Sequence, residues 1–119
     1  MSDLRMISTV IDCVDPTSLA PFWQELLGYE VEAWSEGWIS LRPSDGGAEV
    51  AFQRVPEPKA GKNRLHIDLE TRDLPGEVSR AEGLGAHVLY PSEDPDDVFV
   101  TLADPAGNEF CICLARDPG

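Results

Sequence analysis

The sequence predicts an α+β fold in which two tandem β-α-β-β-β modules form a curved antiparallel sheet around a cavity. Three observations predict it. The chain repeats itself: STVIDCVD from Ser8 precedes an apolar-periodic run ending in Leu27-Gly28-Tyr29, and HIDLETRD from His66 precedes one ending in Leu84-Gly85-Ala86. WISLRPSDG (38–46) likewise returns as FVTLADPAG (99–107), and the offset drifts only between 57 and 61, so the copies differ in loop length. Each copy sets one helical run before three short strand-like runs, which implies a sheet with a helix on one face. Finally, 119 residues make one compact domain whose two copies share a core too large for either alone.

The first module covers about 1–57. Residues 6–14 alternate as a strand, Asp15 is a good N-cap, and Pro16 suits the first helical position. Leu19, Phe22, Trp23, Leu26 and Leu27 then form one apolar stripe, and Gly28 ends the helix in the left-handed conformation. Strands follow at about 29–34, 37–42 and 48–55. The linker VPEPKAGKN (55–63) should be extended and exposed. The second module, about 64–119, repeats the order: a strand at 64–71, a helix at 74–84 carrying Leu74, Val78, Ala81 and Leu84 on one side, and strands at 86–90, 97–103 and 108–115. Pro75 and Gly76 weaken this second helix relative to the first.

Period-2 arithmetic assigns the strand faces. Ile7, Ile11, Cys13, Leu65, Ile67 and Leu69 point to the helices, while Ser8, Val10, Asp12, Arg64, His66, Asp68 and Glu70 point the other way. Trp38, Ser40 and Arg42 share that second side with Phe99 and Thr101, so it is polar with aromatic insertions, as a cavity lining would be. DPAGN (104–108) is a turn whose Gly107 and Asn108 suit positive φ and which aims Glu109 and Cys111 inward.

Nine basic residues against twenty-two acidic ones give a net charge of −13. That field repels phosphate backbones, excludes nucleic acid as a partner and favours cationic ligands; its plainest role is solubility. Much of the excess sits in PSEDPDD (91–97), which reads as a solvated loop rather than a site. No run reaches the roughly 18–20 apolar residues of a membrane span, and MSDLRMISTV carries no signal-peptide pattern, so the expected compartment is the cytoplasm. Three cysteines, Cys13, Cys111 and Cys113, fit a reducing compartment. Two residues apart on one strand, Cys111 and Cys113 share a face but have poor disulfide geometry. Trp23 belongs to the helix core, and Trp34 and His87 carry no assigned role. Asp12 and Glu70 are repeat equivalents near strand ends, where solvated carboxylates are the plain account.

The strings DPTSLAPFWQELLGYEV, NRLHIDLETRDL, LGAHVL and DPAGNEFCIC, in that order and over nearly the whole chain, resemble the vicinal oxygen chelate superfamily. That superfamily includes glyoxalase I, extradiol dioxygenases, and bleomycin- and fosfomycin-resistance proteins. They look most like its small glyoxalase-like domain branch. The resemblance implies four metal ligands, from the first and last strands of each unit, usually His or Gln and Glu. Carried to this chain, the positions are Ser8, His66, Cys111 and Ala51, or Gln53 after a shift of one strand pair. Serine is a poor ligand and alanine none, so the expectation is an incomplete site with no cofactor. A divalent metal, if held, would use His66, Cys111 and Glu109.

Two functions compete. The first is a small-organic-ligand-binding protein of the sequestration or resistance type, acting as a homodimer. Its aromatic or cationic ligand would meet Ser8, Trp38, Gln53, Arg64, His66, Phe99, Glu109 and Cys111. The alternative is a metal-dependent lyase, isomerase or dioxygenase, with Glu109 or His66 as base and Cys111 as nucleophile or ligand. Glyoxalase I activity is not expected, because its four-ligand site is what the sequence lacks.

Overall fold

The computed structural model describes residues 6–61, 63 and 67–115. The chain divides into two compact units, Met1–Pro58 and Lys59–Gly119. The first contains β1 (Ser8–Cys13), α1 (Pro16–Leu27), β2 (Glu30–Trp34), β3 (Trp38–Arg42) and β4 (Glu49–Arg54). The second contains β5 (Ile67–Thr71), α2 (Leu74–Leu84), β6 (His87–Pro91), β7 (Phe99–Ala103) and β8 (Glu109–Leu114). The doubled β-α-β-β-β order is therefore as the sequence repeat predicts. No described helix is long and apolar enough to cross a membrane.

The sheets correct one expectation. They run β1-β4-β3-β2 and β5-β8-β7-β6, and in each the first strand lies parallel to the last. Each sheet is mixed, not antiparallel. Short turns make β2, β3 and β4 antiparallel neighbours, but the parallel pair joins segments far apart in sequence that no turn specifies. A parallel strand needs a crossover, and α1 with two further strands supplies it. The last strand of each unit thus becomes interior: Ala51 and Phe52 of β4 have no exposed surface, and Phe110 of β8 is equally buried.

Helix α1 forms where local signals agree. Asp15 Oδ1 accepts from the Thr17 N–H at 3.1 Å and the Thr17 hydroxyl at 2.7 Å, and Gly28 ends the helix at φ +70°. The Thr17 hydroxyl bond is the main cause of an Asp15 acidity stronger than an ordinary aspartate's. Leu19, Phe22, Trp23 and Leu26 are buried, with Phe22 and Trp23 edge to face at 5.4 Å. The helix lies on β3 and β4, whose Ile39, Leu41 and Phe52 complete the first core. Burying four such side chains contributes about 1.5–3 kcal/mol each before entropy is counted.

Helix α2 has a thinner seam. Only Leu74 and Ala81 are fully buried, against β6 and β8. Gly76, which propensity alone marks as a weakness, has a local purpose. Its N–H donates to Asp73 Oδ1 at 3.1 Å, and a Cβ there would collide with the same carboxylate. Glycine is what lets Asp73 cap this helix.

The DPAGN turn is also built differently from expectation. Only Gly107, at φ +88°, takes the left-handed conformation, and no non-glycine residue has positive φ among the described residues. Asn108 instead donates to Asp104: its backbone N–H to Oδ1 at 2.8 Å and its amide to Oδ2 at 3.1 Å, beside the Ala106 N–H at 3.0 Å. Asp104 is 1 % exposed, so removing its carboxylate takes a buried acceptor from all three donors. Asp104→Ala should therefore lower unfolding free energy by about 2–4 kcal/mol in urea denaturation, and Asp104→Asn by clearly less.

Candidate functional site

The parallel pairing of β5 with β8 sets Asp68 beside Cys111, and the antiparallel β7 sets Thr101 on its other side. Sheet register extends that row to the edge strand, where Tyr90 stands opposite Thr101. Tyr90 arrives there because of a β-bulge: the register slips between Val88, opposite Leu102, and Tyr90. Without the bulge, Leu89 would stand opposite Thr101 and Tyr90 opposite Val100, and the tyrosine would leave this row. One row further along the strands, Phe99 pairs with Cys113, which pairs with Glu70. Glu109, at the start of β8, pairs with Ala103.

These rows wall a recess of about 300 Å³ within the second unit, at the small end of the range for organic-ligand pockets. Tyr90 and Phe99 give it aromatic surface, and Asp68, Asp97 and Glu109 give it carboxylates. Thr101 and Cys111 line its buried part, with the Thr101 hydroxyl 3.4 Å from Cys111 Sγ. No lysine, arginine or histidine is among the described lining residues. Glu109 is anchored from the linker: Lys59 Nζ lies 3.7 Å from its carboxylate and Asn63 Nδ2 donates to its backbone oxygen at 2.8 Å. Burial, followed by the charge of Asp68 and its neighbours Cys111, Asp97 and Glu70, raises the Cys113 thiol above its ordinary pKa. A thiol held protonated is a weak nucleophile.

The sequence-predicted residues fall in three groups. Phe99, Glu109 and Cys111 come together around this recess. Ser8, Trp38 and Gln53 belong to the first unit, where Trp38 and Asp12 flank Gln53 in register and Ser8 lies further along β1, opposite Glu49. Arg64 and His66 lie outside the described residues. Sequence reasoning missed Tyr90, because period-2 parity carries no sign of a bulge, and it undervalued Cys113. It also placed Asp97 in a solvated loop. That loop is exposed from Glu93 to Asp97, as read, but Ser92 N–H to Phe99 oxygen at 2.8 Å ties it to the sheet and Asp97 lines the recess.

The donors for a four-ligand metal site do not fit. Ala51 occupies the register position equivalent to Cys111, between Val10 and Ser40, and offers only a methyl group with no exposed surface. Among the described residues, no three His, Cys, Asp or Glu side chains converge as metal ligands. His66, required by the reduced His66, Cys111 and Glu109 set, is not among them.

Residues 8–113 match the sequence profile of the glyoxalase-like domain. The chain belongs to that family. No curated protein matches the sequence. Solved structures share the fold of this glyoxalase-like domain at low identity. A glyoxalase/bleomycin resistance protein/dioxygenase family enzyme from Burkholderia phytofirmans PsJN is 17% identical, with TM-score 0.77 over 92% of this chain and 97% of that one. The bleomycin-binding protein of Streptomyces verticillus, solved with copper(II)-bleomycin, is 18% identical, with TM-score 0.69 over 98% and 100%. TnmS3, an antibiotic-binding protein from Streptomyces sp. CB03234, is 19% identical, with TM-score 0.73 over 98% and 99%.

The raised Cys113 pKa gives a test on the glyoxalase-like domain itself. Alkylation of Cys113 by iodoacetamide, followed residue by residue by mass spectrometry, should be slow at neutral pH, with a midpoint above that of free cysteine. Because the folded pKa is the higher one, the unfolded chain ionises first as pH rises. Stability should therefore be intact below the ordinary thiol pKa and fall above it.

Proposed function

We propose that this glyoxalase-like domain binds a small organic molecule, cationic and aromatic, in the recess of its second unit, and acts by sequestration rather than turnover. The observation that carries this reading is the lining: aromatic rings and three carboxylates, of which Glu109 is paired with Lys59 from outside, and no basic side chain among the described lining residues. Rings and carboxylates together attract cations through quadrupole and charge, more strongly where water is excluded. Two structural neighbours that bind antibiotics support a small organic ligand. The thiols give little support to catalysis, since Cys113 is held protonated and Cys111 contacts Thr101. The three free cysteines support an intracellular site of action, and a homodimer is part of the proposal. A monomer by sedimentation velocity at micromolar concentration refutes the dimer.

Thermal-shift screening tests the ligand class. Berberine, a planar aromatic cation, should raise the melting temperature in a dose-dependent way, by about 2.7 kcal/mol of added stability at 100 times its Kd. Anilinonaphthalene sulfonate, an aromatic anion, should not. A panel of aromatic and cationic compounds that gives no shift overturns the reading.

The same proposal excludes a resident metal. Elemental analysis of untagged protein, purified without chelators and then exposed to divalent metals, should find well under one equivalent bound. One equivalent of zinc, nickel, iron or manganese that disappears in His66→Ala would replace sequestration with the metal-dependent lyase, isomerase or dioxygenase reading.

A further inference from the structure

We infer that Asp68, Cys111, Thr101 and Tyr90 form a linear recognition row that takes an elongated arylalkylamine lengthwise, its ammonium at Asp68 and its ring at Tyr90. This rests on the ligand-binding reading of the recess and specifies the shape of what it binds. The four residues stand side by side across all four strands of the second sheet, and all four line the recess.

The chain carries its own control. In the first unit the same row reads Val10, Ala51, Ser40 and Ala33, in matching registers and with a matching bulge between Val31 and Ala33. The fold is thus satisfied by valine, alanine, serine and alanine at these positions. Relative to that copy, the second has gained a carboxylate, a thiol and a phenol at register-equivalent sites, while only the hydroxyl is common to both. Packing does not require these groups, so their presence calls for another use.

The row is graded along its length. Its middle is a buried floor, with Thr101 5 % exposed and Cys111 9 % exposed, and their polar atoms meet each other. Its two ends are open. Tyr90 is 49 % exposed, and among the described residues its ring has no aromatic partner and its hydroxyl no hydrogen bond. Asp68 is exposed and forms no hydrogen bond or ion pair with a described residue, whereas Glu109 is already engaged by Lys59. A cation is therefore best held at one end and an aromatic ring at the other, over a floor that offers contact but no unmet polar group. Strands lie about 4.8 Å apart, so three intervals set the ends of the row about 14 Å apart at the backbone. Side chains reaching inward shorten that span to the length of a phenyl ring joined to nitrogen through about five or six methylenes.

The test is isothermal titration of the full chain with ω-phenylalkylamines from benzylamine to 6-phenylhexylamine, each paired with its ω-phenylalkanol to subtract simple apolar gain. The amine should bind better than its alcohol, and that preference should grow at least tenfold between the shortest and the longest tether. Asp68→Asn should abolish the amine preference. Tyr90→Ala should flatten the length dependence, and Tyr90→Phe should keep it. Asp12→Asn, in the first unit, should change neither. Amines and alcohols binding alike, or a preference that survives in a folded Asp68→Asn protein, overturns the row. So does binding of berberine with no phenylalkylamine bound. Failure of every cation and aromatic compound instead overturns the ligand-binding reading beneath it.

Discussion

The structure depends on one long-range constraint: in each unit the last strand lies parallel to the first, although almost the whole unit separates them in sequence. That pairing moves β4 and β8 into the interior of their sheets, where one face packs beneath a helix and the other faces away from it. Phe52 and Phe110 go to the helix side and are fully buried. Their strand neighbours Ala51 and Cys111 go to the opposite side, within one strand of Val10 and Asp68. Were the last strand to pair elsewhere, Asp68, Cys111 and Thr101 would not be neighbours and their row would not cross the sheet.

Duplication explains how such a site arises without endangering the fold. Both units satisfy the same demands: an aspartate cap, a helix seam, a glycine at the helix end, a bulged edge strand. The first unit meets them with the heavier core, anchored by Trp23 and Phe52, and fills its outer row with small or apolar side chains. The second has a thinner helix seam, with only Leu74 and Ala81 buried in α2, and carries the chemically varied row. The heavier core and the chemically varied row thus lie in different copies.

The electrostatics of the recess follow from the same arrangement. Carboxylates from a strand, a loop and a strand start converge beside two thiols, and the result is visible in Cys113, whose proton is held more tightly by burial and by Asp68. The cation-binding reading proposed above rests on that convergence of carboxylates. The overall charge of −13 then adds a weak long-range bias in the same direction, screened within about a Debye length.

The sequence by itself determined the doubled β-α-β-β-β order, the Asp15 and Gly28 caps and buried stripe of α1, and the helix-facing sides of β3 and β7, because each is written in local periodicity and turn chemistry. It also made Phe99, Glu109 and Cys111 legible as candidates, since strand parity and the DPAGN turn fix their direction. Tertiary structure decided what parity could not: the parallel pairing of outer strands, the bulge that brings Tyr90 into the row of Thr101, and the anchoring of the 91–97 loop that makes Asp97 part of a wall. These depend on partners tens of residues away, and a single extra residue in an edge strand reverses every face beyond it. Asn108 and Gly76 teach the same lesson locally, for each takes its role from a carboxylate, Asp104 or Asp73, that propensity alone does not see.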